Sequence, residues 1–409
     1  MELVAIQYKH TEIGLIPEDW RIESILDVAD VKRGKFTPRP RNNPFYYGGN
    51  IPFVQTGDVT RCGGVVRNYS QTLNQQGLAV SKLFKKGTVL MTIAANIGYT
   101  GVLEIDMACP DSLIGITGLK ADNHYLNYYF IYHREDIEDL STSGAQKNLN
   151  IELFSKFKIA LPPSKKEQQA IAQVLSDTDR LIQSLEKKIA KKKLIKQGVM
   201  QDLLTPKLGW KSLNLGKCAT LKARIGWQGL TTAEYLHQGP YHLVTGTDFK
   251  GGFIDWDNCV FVEEFRYIQD TNIQLKINDV LVTKDGTIGK IALIDSLTKP
   301  ATLNSGVFVI RPIQKSFDSR YLYYILRSSH FAEFLARLTA GSTINHLYQK
   351  DFVHFDFPIP PSTEEQTAIA NILSSMDAEL RHLEIKLSRF KQVKQGMMQQ
   401  LLTGKIRLV

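Results

Sequence analysis

A stretch of 44 residues occurs twice in this chain. Pro162 to Thr205 returns at Pro360 to Thr403 with a constant offset of 198 and no gap, and 23 of the 44 paired positions are identical. A match of that size makes the chain two homologous halves. Each copy carries its own helix start. Pro-Pro disfavours helix for the residue before it, and the serine that follows (Ser164, Ser362) has a glutamate three residues later (Glu167, Glu365), the capping-box spacing. Helices are therefore expected from those serines to Thr205-Pro206 and Thr403-Gly404.

Within copy two, apolar residues alternate at steps of four and three: Ile369, Leu373, Met376, Leu380, Leu383, Leu387, Phe390, Met397 and Leu401, with Lys394 breaking the stripe. That spacing is a coiled-coil seam. Copy one keeps the register with Ile171, Leu175, Thr178, Ile182, Leu185, Ile189, Val199 and Leu203, but places Lys192 and Lys196 where an apolar side chain is wanted. About 40 residues at 1.5 Å each make a rod of roughly 60 Å. One such helix cannot bury its stripe alone, and two of matching length in one chain most simply pair with each other. Antiparallel pairing would make the molecule pseudo-symmetric, like an internal dimer. Gly198 and Gly396 sit inside these helices at the same repeat position, at about 1 kcal/mol each relative to alanine. The expected compensation is the close approach of another backbone, from the sister helix or from a partner subunit.

A chain of 409 residues is long enough for two or three domains with real cores. The net charge of +9 is shared: 26 Lys+Arg against 22 Asp+Glu up to Thr205, and 24 against 19 after it. That balance suits two halves meeting the same kind of anionic partner, although a basic surface also simply aids solubility. Cys62, Cys109, Cys218 and Cys259 are scattered, which suggests reduced thiols in a cytoplasmic protein, and the histidines form no metal-ligand spacing. The N-terminus lacks an apolar signal core and no run reaches 18 apolar residues, so neither secretion nor a membrane span is expected.

Ahead of each long helix lies a globular stretch of mixed α/β type. In the first, β-rich runs at Ile51–Val54, Thr88–Ile93 and Leu113–Thr117 are interrupted by glycine loops, and a helix is expected at Asn123–Arg134. The second stretch repeats the plan at landmarks: Trp20, Ala29 and Lys32 against Trp210, Ala219 and Lys222; Asp58 against Asp248; Ile97-Gly98 against Ile288-Gly289; Tyr128 against Tyr324; Gly144, Asn148 and Phe154 against Gly341, Asn345 and Phe352. The framework persists while the loops diverge, as expected of one scaffold carrying two recognition surfaces.

The order of globular domain, PP-S-x-x-EQ-x-x-I-A helix ending in K-Q-G-x-M-Q-x-LL-T, second globular domain and second such helix resembles the specificity subunit of type I restriction-modification enzymes. The likeness covers nearly the whole chain. Internal motifs agree: Gly34 with Thr37-Pro38, Ile51 to Asp58, Asn96-Ile97-Gly98 and Gly144 to Leu149, then Thr245 to Asp248, Lys284 to Gly289 and Gly341 to Asn345. The second half departs at Ala223-Arg224-Ile225-Gly226, where the Gly-x-x-Thr-Pro pattern is absent.

The resemblance implies an α/β fold with two target-recognition domains (1–160 and 208–357) separated by two long helices (161–207 and 358–409) that form an antiparallel coiled coil with a pseudo-twofold repeat. It implies that each domain reads one half of a split, asymmetric site in double-stranded DNA, while the helices set the spacer and dock two modification (methyltransferase) subunits. Two restriction (endonuclease/translocase) subunits join where the complex also cleaves. Such a chain binds no cofactor and carries no catalytic residue; S-adenosylmethionine, ATP and Mg²⁺ belong to the partners.

Lys32, Arg33, Lys35, Arg39 and Arg41 put five cations in ten residues around Gly34, Thr37 and two prolines. Such a loop can lay cations along phosphates or reach guanine edges, and it can equally be a solvated basic loop. Its counterpart offers Lys222, Arg224, Trp227 and Gln228. Gln55, Thr56, Asn96, Tyr99, Gln146, Lys147 and Asn148, with Thr245, Thr247, Lys284, Thr287, Lys290, Ser342, Thr343, Asn345 and His346, form glycine-flanked loops rich in amides, hydroxyls and cations. Amides suit adenine and hydroxyls suit phosphate, though any one of them could be a turn former satisfying its own backbone. Lys187 to Lys196 holds six lysines in ten residues, either a solvated helix face or a contact with unread spacer DNA.

The sequence has no methyltransferase Pro-Pro-aromatic motif, phosphate loop or zinc cluster, and Pro110-Asp111 lacks the acidic follower a nuclease needs and reads as a turn. The rival to a DNA reader is a coiled-coil scaffold whose end domains bind proteins.

Overall fold

In a computed structural model the chain divides into two compact units, Met1–Glu186 with Ile385–Val409, and Lys187–Glu384. The structure describes residues 7–141, 148–339 and 346–408, with the backbone alone at Trp227 and Thr339. The long helices run Lys165–Leu204 and Thr363–Leu402, each starting one residue past its serine. Each unit therefore holds one globular part, the first half of one long helix and the second half of the other.

In the first unit a five-stranded sheet has the order Ala29–Arg33, Leu113–Gly118, Val89–Thr92, Thr100–Leu103, Gly64–Val66. Neighbours are antiparallel except the last pair. Its central strands are apolar without alternation because both faces are covered. Val89, Met91, Ile114 and Ile116 face a cluster shared with Tyr125, Leu126 and Tyr129 of the Asn123–Tyr132 helix. The same cluster takes in Ile171 and Leu175 of the first long helix and Met398 and Leu401 of the second. Leu90, Leu103 and Leu113 face the other way, onto Val54 and Phe84. A four-stranded sheet (Gln71–Leu73, Tyr47–Phe53, Met107–Cys109, Lys82–Phe84) and two ribbons, Tyr8–Thr11 with Gly14–Pro17 and Arg21–Ser24 with Lys158–Leu161, complete the strands of the unit.

The second unit repeats the scheme with a four-stranded antiparallel sheet, Ala219–Lys222, Val307–Pro312, Val280–Thr283, Ile291–Leu293. Val280, Val282 and Ile310 pack with Tyr321 and Leu322 of the Ser319–Leu326 helix and with Leu204, Ile369 and Leu373 of the long helices. Leu281, Ala292 and Val309 face the opposite cluster. Each long helix is thus part of a globular core, which is why the compact units cut through the helices instead of setting them apart.

The repeated Glu-Gln of the helix start has a structural use. The Asp122 amide donates to Gln168 Oε1 at 2.8 Å, and the Asp318 amide to Gln366 Oε1 at 2.9 Å. The Tyr125 hydroxyl donates to the Ala160 carbonyl (2.7 Å) and that of Tyr321 to the Pro358 carbonyl (3.0 Å). Of the expected capping boxes the serine half is present at Ser362, whose hydroxyl accepts from the Glu365 amide at 3.1 Å. Glu167 is otherwise engaged: Arg407 donates to its carboxylate at 2.5 and 2.8 Å.

Within the first unit, Asp179 meets Lys394 and Glu186 meets Lys391. Within the second, Lys193 meets Glu384 and Lys196 meets Asp377. Numbers rise along one helix as they fall along the other, so the segments in each unit run antiparallel. Of the seam residues, Ile171, Leu175, Ile182, Leu185, Ile189, Ile369, Leu373, Leu380 and Leu383 are buried, whereas Leu387 is half-buried. Two sequence expectations need correction. Lys192 and Lys196 do not break the pairing, because each finds a carboxylate on the other helix, Glu379 and Asp377. No sister backbone crowds Gly198 or Gly396: a Cβ at either would meet nothing within 4 Å. Among the described residues no helix is long and apolar enough to cross a membrane.

Candidate nucleic-acid interface

The Ala29–Arg33 strand is an edge of its sheet, and the basic loop leaves from it. Gly34 is required there, since a Cβ would stand 2.2 Å from the Pro110 carbonyl oxygen. Asp111 gathers the arginines that follow. Arg33 donates to its carbonyl at 2.7 Å, Arg41 to its carboxylate at 2.6 Å, and Arg39 lies 3.7 Å from the second carboxylate oxygen. Arg39 also donates to the Phe36 and Pro38 carbonyls. Lys32 pairs with Asp30, and Lys35 and Thr37 are exposed. The Asp111 carboxylate thus preorganises two guanidinium groups and its carbonyl a third, while the loop keeps a positive excess.

Beside the loop lies a cleft of about 390 Å³. Phe36 and Phe53, with ring centroids 5.1 Å apart, form its floor, and Arg41, Asn42, Gln55 and Gln71 line it. Gln55 donates to Gln71 Oε1 at 2.9 Å, and the Thr56 and Ser112 hydroxyls lie 3.1 Å apart. Asp58 fixes this corner by accepting from the Gln55 amide and the Ser70 hydroxyl, both at 2.8 Å. The structure therefore brings Arg41, Gln55 and Thr56 together. It adds Asn42, Gln71, Asp111 and Ser112, which sequence reasoning missed. Nothing local marks them, since the contacts join residues far apart in sequence.

The second loop of this unit holds Asn96 exposed and Tyr99 under the Arg134 guanidinium, 5.2 Å from the ring centroid. The Thr92 hydroxyl accepts from the Tyr99 amide at 3.0 Å. A strand bridge from Ala94 places Asn148 beside it. In the second unit the same loop is built by Thr283, whose hydroxyl accepts from the Lys290 amide at 2.9 Å, and a bridge from Asp285 brings His346 alongside. Asn148 therefore corresponds to His346, one place beyond the Asn345 suggested by the landmarks. Gln146, Lys147, Ser342, Thr343 and Asn345 lie outside the described residues, as does the Trp227 side chain.

Thr245 and Thr247 bring their hydroxyls within 2.6 Å, and Lys290 Nζ reaches the Gly246 carbonyl at 3.4 Å. Asp248 is buried beneath them and accepts from the Thr245 amide (2.7 Å) and hydroxyl (2.9 Å); loss of solvent raises its pKa. Thr287 is exposed, and Lys284 lies 5.5 Å over the Phe308 ring. Lys222 is exposed at the end of the edge strand. Arg224 is not at the surface. It is 1% exposed and donates to the Leu303 carbonyl (2.9 Å), Thr302 Oγ1 (3.2 Å), Gln269 Oε1 and the Arg266 carbonyl (both 3.3 Å), and burial lowers its pKa. Gln228 is buried as well. Neither can reach a ligand from where it stands, so both leave the set of candidate contacts. Among the described residues no group of acidic, histidine or cysteine side chains could hold a metal ion.

Exposed guanidinium, amide and hydroxyl groups on two edges are the chemistry of phosphate and base-edge contact. The model of the type I restriction modification DNA specificity domain matches residues 17–194 and again 232–388. The chain belongs to that family. It is a type I restriction-modification specificity subunit, concerned with recognition of a DNA target. The MjaVIII specificity subunit of Methanocaldococcus jannaschii is 26% identical over 96% of this chain and 94% of its own length. The MjaIX specificity subunit of the same organism is 28% identical over 44% of this chain and 43% of its own. In fold, the crystal structure of a type I restriction-modification S subunit from M. genitalium superposes with a TM-score of 0.64 at 18% identity, covering 93% of this chain and 96% of that one. Each segment matched by the family model begins in or just before a globular part and ends inside a long helix, so the specificity domain is present twice.

Proposed function

We propose that this specificity subunit reads a bipartite, asymmetric site in double-stranded DNA, one half with each unit, and that its long helices form an antiparallel coiled coil that sets the spacer and docks two modification subunits. The contrast between two unlike polar edges on one repeated framework carries the reading. Arg33, Arg39 and Arg41 collected on Asp111 mark the first unit, and Thr245, Thr247 and Lys290 over buried Asp248 mark the second. Unlike edges read unlike half-sites, hence the asymmetry.

Docking is supported by the outward face of the helices. Gly198 and Gly396 are open, with Leu194 (70% exposed) and Ile195 beside the first and Val393 beside the second. Helix-interior glycines next to exposed aliphatic side chains suit the close approach of a partner helix. The chain supplies recognition, while S-adenosylmethionine chemistry, and any ATP- and Mg²⁺-dependent cleavage, belongs to its partners.

Mapping methylated positions in host genomic DNA with and without this chain tests the reading. A two-part motif with different halves that vanishes with the chain is expected; an unsplit motif, or one unchanged by its loss, contradicts it.

A further inference from the structure

Each unit contains one copy of the same three-residue cluster, and we propose that these two clusters are the register lock of the helix pair, with Asp179 and Asp377 as positioning residues that fix which turn of one helix faces which turn of the other. The inference rests on the reading of the helices as a spacer. In the first unit Asp179 accepts from the Tyr128 hydroxyl at 2.8 Å and forms an ion pair with Lys394 Nζ at 2.6 Å, and that ammonium lies 5.6 Å over the Tyr128 ring. In the second, Asp377 accepts from the Tyr324 hydroxyl at 2.8 Å and from Lys196, whose ammonium lies 5.6 Å over the Tyr324 ring. Asp377 and Lys394 stand 198 residues after Asp179 and Lys196, so the cluster obeys the repeat. Each cluster joins three elements: both long helices and the helix that heads the globular core.

The apolar seam cannot fix register by itself. It recurs every seven residues, so sliding one helix by a heptad again sets aliphatic side chains on aliphatic side chains. The aspartates refuse both slides. In one direction Asp179 comes to face Leu401 and Asp377 faces Leu203; in the other they face Leu387 and Ile189. A carboxylate that loses its lysine and gains an aliphatic neighbour in its place is disfavoured. The lysines discriminate less, because the first slide returns Lys394 to Glu186 and Lys196 to Glu384. Stability alone does not explain the clusters: Lys196–Asp377 is buried and Asp179–Lys394 half-buried, and an ion pair taken out of water is commonly matched or bettered by packed apolar residues, whereas specifying register is its best-attested use. The exposed pairs Glu186–Lys391 and Lys193–Glu384 follow the same repeat at the surface, where ion pairs contribute little.

The test is made on the full chain by cysteine cross-linking. Glu186→Cys with Lys391→Cys reports the native register. Glu186→Cys with Glu384→Cys, and Lys193→Cys with Lys391→Cys, report the two one-heptad slides. In the parent only the native pair should close. In D179L/K394M/D377L/K196M a slid pair should close alongside it, and the reversed version D179K/K394D/D377K/K196D should restore native-only closure. Should the apolar variant fail to fold, D179N/D377N, which removes the charge and keeps a tyrosine partner, decides by the same readout. Native-only closure in the apolar or amide variant overturns the proposal. Binding to duplexes of graded spacer separates it from the ruler: a slide of about 10 Å corresponds to about three base pairs. A relaxed register with unchanged spacer choice would leave the lock standing and sink the ruler.

Discussion

At one place in the repeated framework the first unit has Gly34 and the second Arg224. The glycine lets the chain slip past the Pro110 carbonyl, and Arg39 and Arg41 beyond it run outward to Asp111. The arginine instead turns inward and is consumed by Leu303, Thr302 and Gln269. Around that difference the anchors are the same: Gln168 and Gln366, Tyr125 and Tyr321, Asp58 and Asp248, Asp179 and Asp377. Duplication kept the residues that hold an edge in place and released those that decide what the edge presents. A basic residue near a reading edge is therefore evidence of contact only once its burial is known.

If the frameworks are equivalent, equivalent cavities should cost the same. Leu175 and Leu373 occupy the same repeat position and are both fully buried. Leu175→Ala and Leu373→Ala should each lose about 2–5 kcal/mol in denaturant unfolding. A large loss from one alone would break the comparison.

The edges should behave oppositely. Arg224→Met leaves the Leu303 carbonyl and Thr302 hydroxyl unpartnered and should destabilise by about 1–3 kcal/mol, without altering the salt dependence of DNA binding. Arg39→Ala with Arg41→Ala should leave stability within about 0.5 kcal/mol per site and reduce the magnitude of the slope of log affinity against log salt by about 2. Salt titrations of both variants sharpen the contrast; a slope changed by Arg224→Met would erase it.

The smallest effect belongs to a contact of the first unit alone. Arg407, at whose repeat position the other half has Gly209, donates to Asp19 at 2.7 and 2.9 Å, and these bonds hold the Asp19 carboxyl below its ordinary 3.8. A depressed folded pKa adds stability that is complete above the ordinary value and lost as pH falls through the lowered one. Asp19→Asn should thus lower the unfolding midpoint slightly at pH 6, with the difference fading below pH 3.8.

Much of the fold was legible because its signals are local. Capping serines, heptads and Pro or Gly stops placed both long helices to within a residue or two. Sheet order was not legible: Leu113–Gly118 lies between Ala29–Arg33 and Val89–Thr92, a pairing decided by residues far away in sequence. Lys196 looked like a fault in the seam because Asp377, which explains it, lies 181 residues on. At the candidate site the loops were legible and the side-chain directions were not. Gln55 and Arg41 do line one cleft, but Asn42 and Gln71 beside them carry no motif, and the charge of Arg224 gave no hint that it points inward.

In the proposed reading, paired helices hold two unlike readers at a set separation. Seven residues inserted both between Glu186 and Lys187 and between Glu384 and Ile385 would leave the ion pairs within each unit in register and lengthen the helices by about 10 Å, about three base pairs of duplex. Methylated sites mapped with that chain should show both half-sites unchanged and a spacer longer by about three base pairs. An unchanged spacer, or altered bases in either half, would contradict the account.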